Sequence, residues 1–176
     1  MRPLTGTDYV LGRWAAFLAV TTAAAWLPQA ILFLGSLLDA GAPMEYLRDN
    51  WLAVPKFLAA GLAMAAYATT LALFTASFTT RRAYASVFLV GLFVISTPFT
   101  VGLASEIEGS VGAWISMFNL TNIPVHVNDV IFGEVSQITE DAPARALGSR
   151  VLVAWFFAWT LIPAALLWWR YRRLTP

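Results

Sequence analysis

Four long stretches without a charged residue or a histidine constrain this 176-residue chain more than any other feature. They cover residues 14–38, 57–80, 83–104 and 151–169. A helix needs about 20 mainly apolar residues to cross a hydrocarbon layer about 30 Å thick, and each stretch has roughly that length. Charged residues make up only 12% of the chain, against about 25% in soluble domains, which argues against a water-soluble core. The sequence therefore predicts an all-α, polytopic membrane protein with four transmembrane helices in a single domain, residues 1–176.

The charges between these stretches are sorted by side. Arg81 and Arg82 are the only charges between the second and third stretches, and residues 1–13 and 170–176 add further arginines. The two longer connections, residues 39–56 and 105–150, carry nine of the ten acidic residues. Because Lys and Arg in short flanking segments favour the cytoplasmic side, the pattern predicts a protein of the cell (plasma or inner) membrane with both termini in the cytoplasm.

The connection at residues 105–150 has two amphipathic patterns of its own. Apolar residues from Val111 to Phe118, and again from Val127 to Ile138, follow the spacing of one helical face. We expect two short amphipathic helices at the outer face, either lying in the interface or dipping into the membrane as re-entrant helices. Asn119 begins a match to a glycosylation sequence, a weak signal on its own.

Several residues in the apolar stretches point to helix packing or to a path through the protein. Pro98 removes one helical hydrogen bond and predicts either a static kink or a hinge. Gln29 is the most costly uncharged polar residue there, and it either holds helices together or lines a path. Two series of small residues four positions apart, Gly61 and Ala65, then Ala68, Ala72 and Ala76, predict a close helix contact, within the subunit or between subunits.

The chemical inventory predicts no catalytic, cofactor-binding or metal-binding residue. The chain has no cysteine and one histidine, His126, which we expect to be solvated or to cap a helix. It has no glycine-rich phosphate loop, and no basic stripe that would suit nucleic acid. Tyr67 is the only ionisable side chain in the interior of the four stretches, since Tyr84 lies at the start of the third, and this disfavours proton-coupled carriers and membrane-embedded enzymes.

The N-terminal segment carries a family resemblance. Residues 2–13 read Arg2-Pro3-Leu4-Thr5-Gly6-Thr7-Asp8-Tyr9-Val10-Leu11-Gly12-Arg13. This segment resembles the cytoplasmic signature of ABC-2 type transporter permeases. The later order is also similar to that family: an outer loop, an alanine-rich helix, a short basic turn, a further helix, two short outer helices, and a last helix with a basic tail. The family usually has six spans, and this chain corresponds to the last four, so we expect a truncated copy or a short member.

The resemblance implies a membrane-spanning permease subunit that works as a dimer, with a second permease copy or a homologous permease, in contact with membrane lipid. ATP would be bound by a separate ABC ATPase subunit, so this chain would need no cofactor. The substrate would be amphipathic or hydrophobic and would be exported. The alternatives are a non-transporting four-helix scaffold or assembly protein, and a truncated permease fragment without function.

A permease must pass the closing motion of its ATPase to its helices through a cytoplasmic element. The turn at Arg81 and Arg82 is too short for that, so residues 1–13 are the candidate coupling segment. Thr7 would cap a helix that begins at Asp8. The alternative is that the arginines of this segment only anchor the membrane edge. The expected coupling residues are Arg2, Pro3, Leu4, Thr5, Asp8, Tyr9 and Arg13.

Overall fold

A computed structural model describes residues 6–79, 81–107 and 109–172, without the side chains of Tyr9 and Arg82. The helices are α1 (Gly6–Asp39), α2 (Pro43–Asn50), α3 (Ala53–Ala76), α4 (Arg82–Glu106), α5 (Ser110–Ser116), α6 (Asn122–Phe132) and α7 (Ser149–Arg172), with a 3₁₀ helix at Pro143–Leu147. No strand occurs in these ranges. The predicted all-α membrane fold is confirmed, because α1, α3, α4 and α7 are apolar and long enough to span a membrane.

The first and second spans differ from the prediction at their ends. Helix α1 is continuous over 34 residues, so residues 6–13 form its first turns and not a separate segment. Nothing between Gly6 and Trp14 breaks a helix, and Asp8 lies in the first turn. The expectation that Thr7 caps a helix beginning at Asp8 is therefore wrong. Helix α3 ends at Ala76, four residues before the predicted end of the span at residue 80. Just after this helix end, the Ser77 hydroxyl donates to the carbonyl of Phe74 at 2.7 Å.

Helix α3 is the centre of the bundle. It contacts α1, α4, α6 and α7, whereas most of the surfaces of α1 and α4 face outward. The main buried cluster is built around Tyr67 and Leu71 of α3, Leu120 and Ile123 of the α5–α6 region, and Phe156 of α7. The fold is therefore organised as helices arranged around one central span.

The ends of the spans are grouped as the charge pattern implies. Val10, Leu73 and Leu167 form one buried cluster, which brings together the start of α1, the end of α3 and the end of α7. The α3–α4 turn lies at the same end, because the guanidinium of Arg170 is 5.0 Å from the ring centre of Phe78. We call this the arginine-rich end, and the opposite end, where residues 39–53, 106–107 and 133–149 lie, the acidic end.

The two short helices predicted within residues 105–150 are confirmed as α5 and α6. Helix α6 ends at Phe132, however, so the expectation that Val135 and Ile138 continue its apolar face is wrong. Gly133 ends the helix with a φ of 74°, a left-handed conformation that glycine adopts easily. The structure also adds α2, a short polar helix that sequence analysis did not predict.

Candidate functional site

Helices α5 and α6 form a hairpin whose turn, residues 117–121, is inserted among the spans. The hydroxyl of Tyr67 on α3 donates a hydrogen bond to the carbonyl of Leu120 at 3.0 Å. The indole nitrogen of Trp155 on α7 donates to the carbonyl of Met117 at 2.7 Å. Carbonyls at a turn have no partner in the hydrogen bonds of a helix, and water does not reach them inside a membrane, so these two side chains satisfy them.

The depth of this turn follows from its partners. Tyr67 lies about 21 Å along α3 from Ala53, at 1.5 Å per residue. Thr97 lies about 14 Å along α4 from Glu106, and Trp155 about 9 Å along α7 from Ser149. The turn thus reaches roughly the middle of a layer about 30 Å thick. Residues 110–132 are a re-entrant hairpin that enters from the acidic end, and the interfacial alternative is not what the structure has.

Asn119 is the polar centre of the turn. Its side chain is 2% exposed, and its Oδ1 accepts hydrogen bonds from the hydroxyl of Thr97 and the backbone N–H of Thr121, both at 3.2 Å. The hydroxyls of Thr97 and Thr121 also lie 3.2 Å apart. A buried amide with these partners is not an accessible glycosylation site, so the sequence match at Asn119 has a structural role in this fold.

Aromatic rings pack the hairpin against α7. The ring centres of Phe118 and Trp155 are 5.2 Å apart, and those of Trp114 and Trp155 are 6.0 Å apart, both with edge-to-face geometry. Phe118 also meets Trp159 at 6.4 Å. Such pairs contribute about 0.5–1.5 kcal/mol each beyond the area that they bury.

Pro98 lies inside α4, next to the residue that holds Asn119. The hydroxyl of Ser96 donates to the carbonyl of Phe93 at 3.0 Å, and that of Thr100 donates to the carbonyl of Ser96 at 2.6 Å. The hydroxyls therefore bond to carbonyls near the proline, as membrane helices often arrange. Pro98 lies where α4 meets the hairpin turn.

The contact between α1 and α3 combines a close approach with three hydrogen bonds. Trp14 donates to the hydroxyl of Thr70 at 3.0 Å, and Trp26 donates to the carbonyl of Leu58 at 2.9 Å. The third bond joins the hydroxyls of Thr21 and Thr69, 2.9 Å apart. Gly61 and Ala65 are buried there, as the small-residue pattern predicts.

The contact with α1 continues beyond Ala65 at Thr69, whose hydroxyl meets that of Thr21. Ala68 precedes Thr69 by one residue and therefore lies about 100° away around the helix axis. Ala68 is exposed, and Ala72 is half-buried beside an open groove. Ala68 is therefore outside the α1–α3 contact of this chain, and a contact of Ala68 and Ala72 with another subunit, which the pattern also allows, stays a prediction.

Replacing Gly61 by alanine should lower the free energy of unfolding by about 1–3 kcal/mol, the usual cost of overpacking. The new Cβ atom would lie 2.5 Å from Cδ1 of Trp26, whose ring is held by its bond to Leu58. Gly35→Ala on α1 is the matched control, because no atom lies within 4 Å of its added Cβ. Reversible unfolding in mixed detergent and SDS micelles measures both variants, and equal stabilities would contradict the close α1–α3 contact.

Two of the expected coupling residues line an open groove at the arginine-rich end. Asp8 and Arg13 of α1 face Ala72 of α3 and Ser86 of α4 across a cavity of 890 Å³. The structure thus brings Asp8 and Arg13 together with two small residues of the packing pattern, Ala72 and Ala76. Arg2, Pro3, Leu4 and Thr5 lie outside the described residues, as does the side chain of Tyr9.

Gln29 has an exposed side chain on α1, and it makes no side-chain hydrogen bond to any residue that the structure describes. An amide that faces hydrocarbon without a partner costs several kcal/mol. Gln29 is therefore outside the α1–α3 contact, so it does not hold helices together within this chain.

His126 is buried, with 3% of its surface exposed, so the expectation of a solvated histidine is wrong. Burial lowers the pKa of His126 below its ordinary value; the nearby Asp129 opposes this shift, and Arg145 reinforces it. The ring lies beside a cavity of 260 Å³ near the acidic end. Its Nε2 has no hydrogen-bond partner among the described residues.

Comparison with known proteins adds no relative. The chain matches no protein-family model, and neither the curated proteins nor the solved structures give a significant match.

The residues that hold the hairpin turn were not predicted to do so from the sequence: Tyr67, Thr97, Asn119 and Trp155. Tyr67 did give a signal, because it is the only ionisable side chain in the interior of the four apolar stretches. A buried phenol in a membrane needs an acceptor. The acceptor could not be predicted from the sequence, because it is a backbone carbonyl 53 residues away along the chain, and every residue has such a carbonyl.

Proposed function

We propose that this chain is a membrane-spanning permease subunit of an ABC-2 type transporter, driven by a separate ATPase subunit and exporting an amphipathic or hydrophobic substrate. The proposal rests first on the resemblance of residues 2–13 to the family's cytoplasmic signature. The structural observation that carries it is the continuity of α1, which is about 51 Å long at 1.5 Å per residue.

A helix of that length extends well beyond a hydrocarbon layer of about 30 Å. Its first turns, with Asp8 and Arg13, lie at the arginine-rich end, where an ATPase in the cytoplasm would dock. A push on these turns would pass along α1 without a break. Through the bonds of Trp14 and Trp26 it would then reach α3, the central helix.

The exposed face of α1 supports a dimer. Gln29 faces outward, so in a single subunit only lipid would surround its side chain. A second permease subunit would supply the hydrogen bond that this amide lacks in the described chain. The open groove beside Asp8 has a volume of 890 Å³, within the range of 300–1,000 Å³ that is usual for ligand sites. Rocking of the two subunits by the ATPase would open a path at their interface.

The test is copurification from the native membrane in mild detergent, with partner proteins identified by mass spectrometry. We expect a P-loop ATPase in near-stoichiometric amount with the unchanged protein. The variant Asp8→Ala with Arg13→Ala should lose most of it, at least about tenfold, because charge-assisted contacts contribute about 1.5–3 kcal/mol each.

The matched control is Asp39→Ala with Arg48→Ala, which also removes one acid and one arginine, but at the acidic end. It should keep the ATPase. A preparation free of any ATPase, or one in which both double variants lose it equally, would refute the docking site and favour the scaffold alternative. That alternative has one observation in its favour, since the re-entrant hairpin occupies the middle of the bundle on the acidic side.

The orientation gives a separate prediction. Because the chain has no cysteine, a single cysteine reports one position. Ile138→Cys, at a side chain that is 67% exposed, should react with a membrane-impermeant maleimide in intact cells. Arg172→Cys should react only after permeabilisation. Met117→Cys, in the buried hairpin turn, should react only after denaturation. Labelling of Arg172→Cys in intact cells would mean the opposite orientation.

A further inference from the structure

A second groove lies between α3, α4 and α7, in the half of the bundle that the re-entrant hairpin does not reach. Its volume is 620 Å³. Leu71 and Trp159 lie at its inner end, and Trp159 also contacts Phe118 of the hairpin. The hairpin therefore fills the space between these three helices on the acidic side, and the groove continues that space to the arginine-rich end.

The groove is lined almost entirely by apolar and aromatic side chains. Rings line it along its length, from Phe78 and Tyr84 at the helix ends to Phe74, Phe88 and Trp159 further in. The distance along α4 from Tyr84 to Leu92 is about 12 Å at 1.5 Å per residue. This is close to the hydrocarbon depth of one leaflet, about half of 30 Å.

Two arginines are held at the open end by the lining itself. The guanidinium of Arg170 is 5.0 Å from the ring centre of Phe78, and that of Arg81 is 5.7 Å from the ring centre of Tyr84. Neither guanidinium forms an ion pair with a residue that the structure describes. An apolar groove thus opens directly below two positive charges.

We propose that this groove binds an acyl chain of an anionic phospholipid, and that Arg81 and Arg170 hold the phosphate of its headgroup. The acyl chain would fill the space between α3, α4 and α7 in the half of the bundle that the hairpin does not reach. Guanidinium groups bind phosphate oxygens in pairs, which suits a headgroup lying between two arginines. A zwitterionic lipid would bring a second positive charge to the same place, so the site selects lipids with net negative charge.

The experiment uses the full chain in phosphatidylcholine nanodiscs that contain a few per cent of a photoactivatable lipid. The probe is phosphatidylglycerol with a diazirine in its acyl chain, and phosphatidylcholine with the same acyl chain is the comparison. After illumination, mass spectrometry locates the labelled residues. We expect phosphatidylglycerol to label the groove around Phe74 and Phe88 about tenfold more than phosphatidylcholine does, because each arginine near a membrane surface favours anionic lipid severalfold.

Two pairs of variants separate the headgroup contact from the groove. Arg81→Gln with Arg170→Gln should abolish the preference for phosphatidylglycerol. Arg172→Gln should leave it unchanged, since that guanidinium lies over Trp168, which does not line the groove. Leu92→Trp, which fills the groove, should remove labelling by both probes. Val94→Trp, at an exposed position on the same helix, should not.

Equal labelling of the groove by the two lipids would overturn the proposal, as would a preference that survives Arg81→Gln with Arg170→Gln. Label spread evenly along the exposed face of α4, at positions such as Val94 and Ile95, would mean only ordinary surrounding lipid. Size-exclusion chromatography of each variant checks folding, and the arginine variants change only exposed side chains. The result does not depend on the presence of an ATPase, so the transporter proposal and this one fail separately.

Discussion

Replacing Tyr67 by alanine should lower the free energy of unfolding by about 3–5 kcal/mol, the range for removing a buried aromatic side chain. Tyr67 is 1% exposed, packs against Phe156 and Phe93, and donates to the carbonyl of Leu120. The loss would combine a cavity at the centre of the bundle with an unpaired carbonyl at the hairpin turn. Tryptophan fluorescence during SDS titration in mixed micelles measures it.

Two further variants divide this effect. Tyr67→Phe keeps the ring and removes the hydrogen bond, so it should cost about 1 kcal/mol. Phe99→Ala removes an aromatic ring of similar size from an exposed position on α4, where the side chain is 63% exposed, and it should cost less than about 1 kcal/mol. If Tyr67→Ala proved no more destabilising than Phe99→Ala, Tyr67 would not be the centre of the core.

The second large effect is expected at the junction of α4 and α5. A Cβ atom added at Gly112 would lie 1.9 Å from the carbonyl oxygen of Ile107 and 3.2 Å from that of Ala104. These atoms belong to the backbone, so the clash is relieved only if the hairpin moves away from the end of α4. Gly112→Ala should therefore lower the free energy of unfolding by about 3 kcal/mol, at the upper end of overpacking costs.

Gly102→Ala is the matched control, because it makes the same chemical change in α4, where nothing lies within 4 Å of the added Cβ. Alanine is the better helix former by about 1 kcal/mol, so this variant should be neutral or slightly more stable. The two variants are thus expected to differ in sign. A Gly112→Ala protein as stable as the Gly102→Ala protein would contradict the close approach of α5 to the end of α4.

The spans were predictable because length and apolar composition alone decide whether a helix fits a membrane, and the charges between them mark their ends. Local signals also explain two of the errors. Gly133 is a usual helix stop, and it could have ended α6 before Val135. Pro43 at the first position of α2, with Glu45 in the first turn and Arg48 in the last, is the pattern of a short helix.

The depth of the hairpin was not predictable, because amphipathic spacing records which face of a helix is apolar and not where that helix lies. Depth is set here by single long-range bonds, from Tyr67 to Leu120 and from Trp155 to Met117. The sequence also could not predict that Gln29 and Ala68 face outward. Which side of an apolar helix meets its neighbour depends on the other helices, and all sides of these spans are apolar.

The re-entrant hairpin also fixes an order of assembly. Helices α5 and α6 have 7 and 11 residues, so neither can cross a membrane alone, and the spans must be in place before they enter. Helices α5 and α6 pack against α7, which is synthesised after them and supplies Trp155, the donor to the carbonyl of Met117. The hairpin must therefore wait near the surface until the last span has been made. A chain that ended before Trp155 would insert three helices and leave the hairpin with no place to settle.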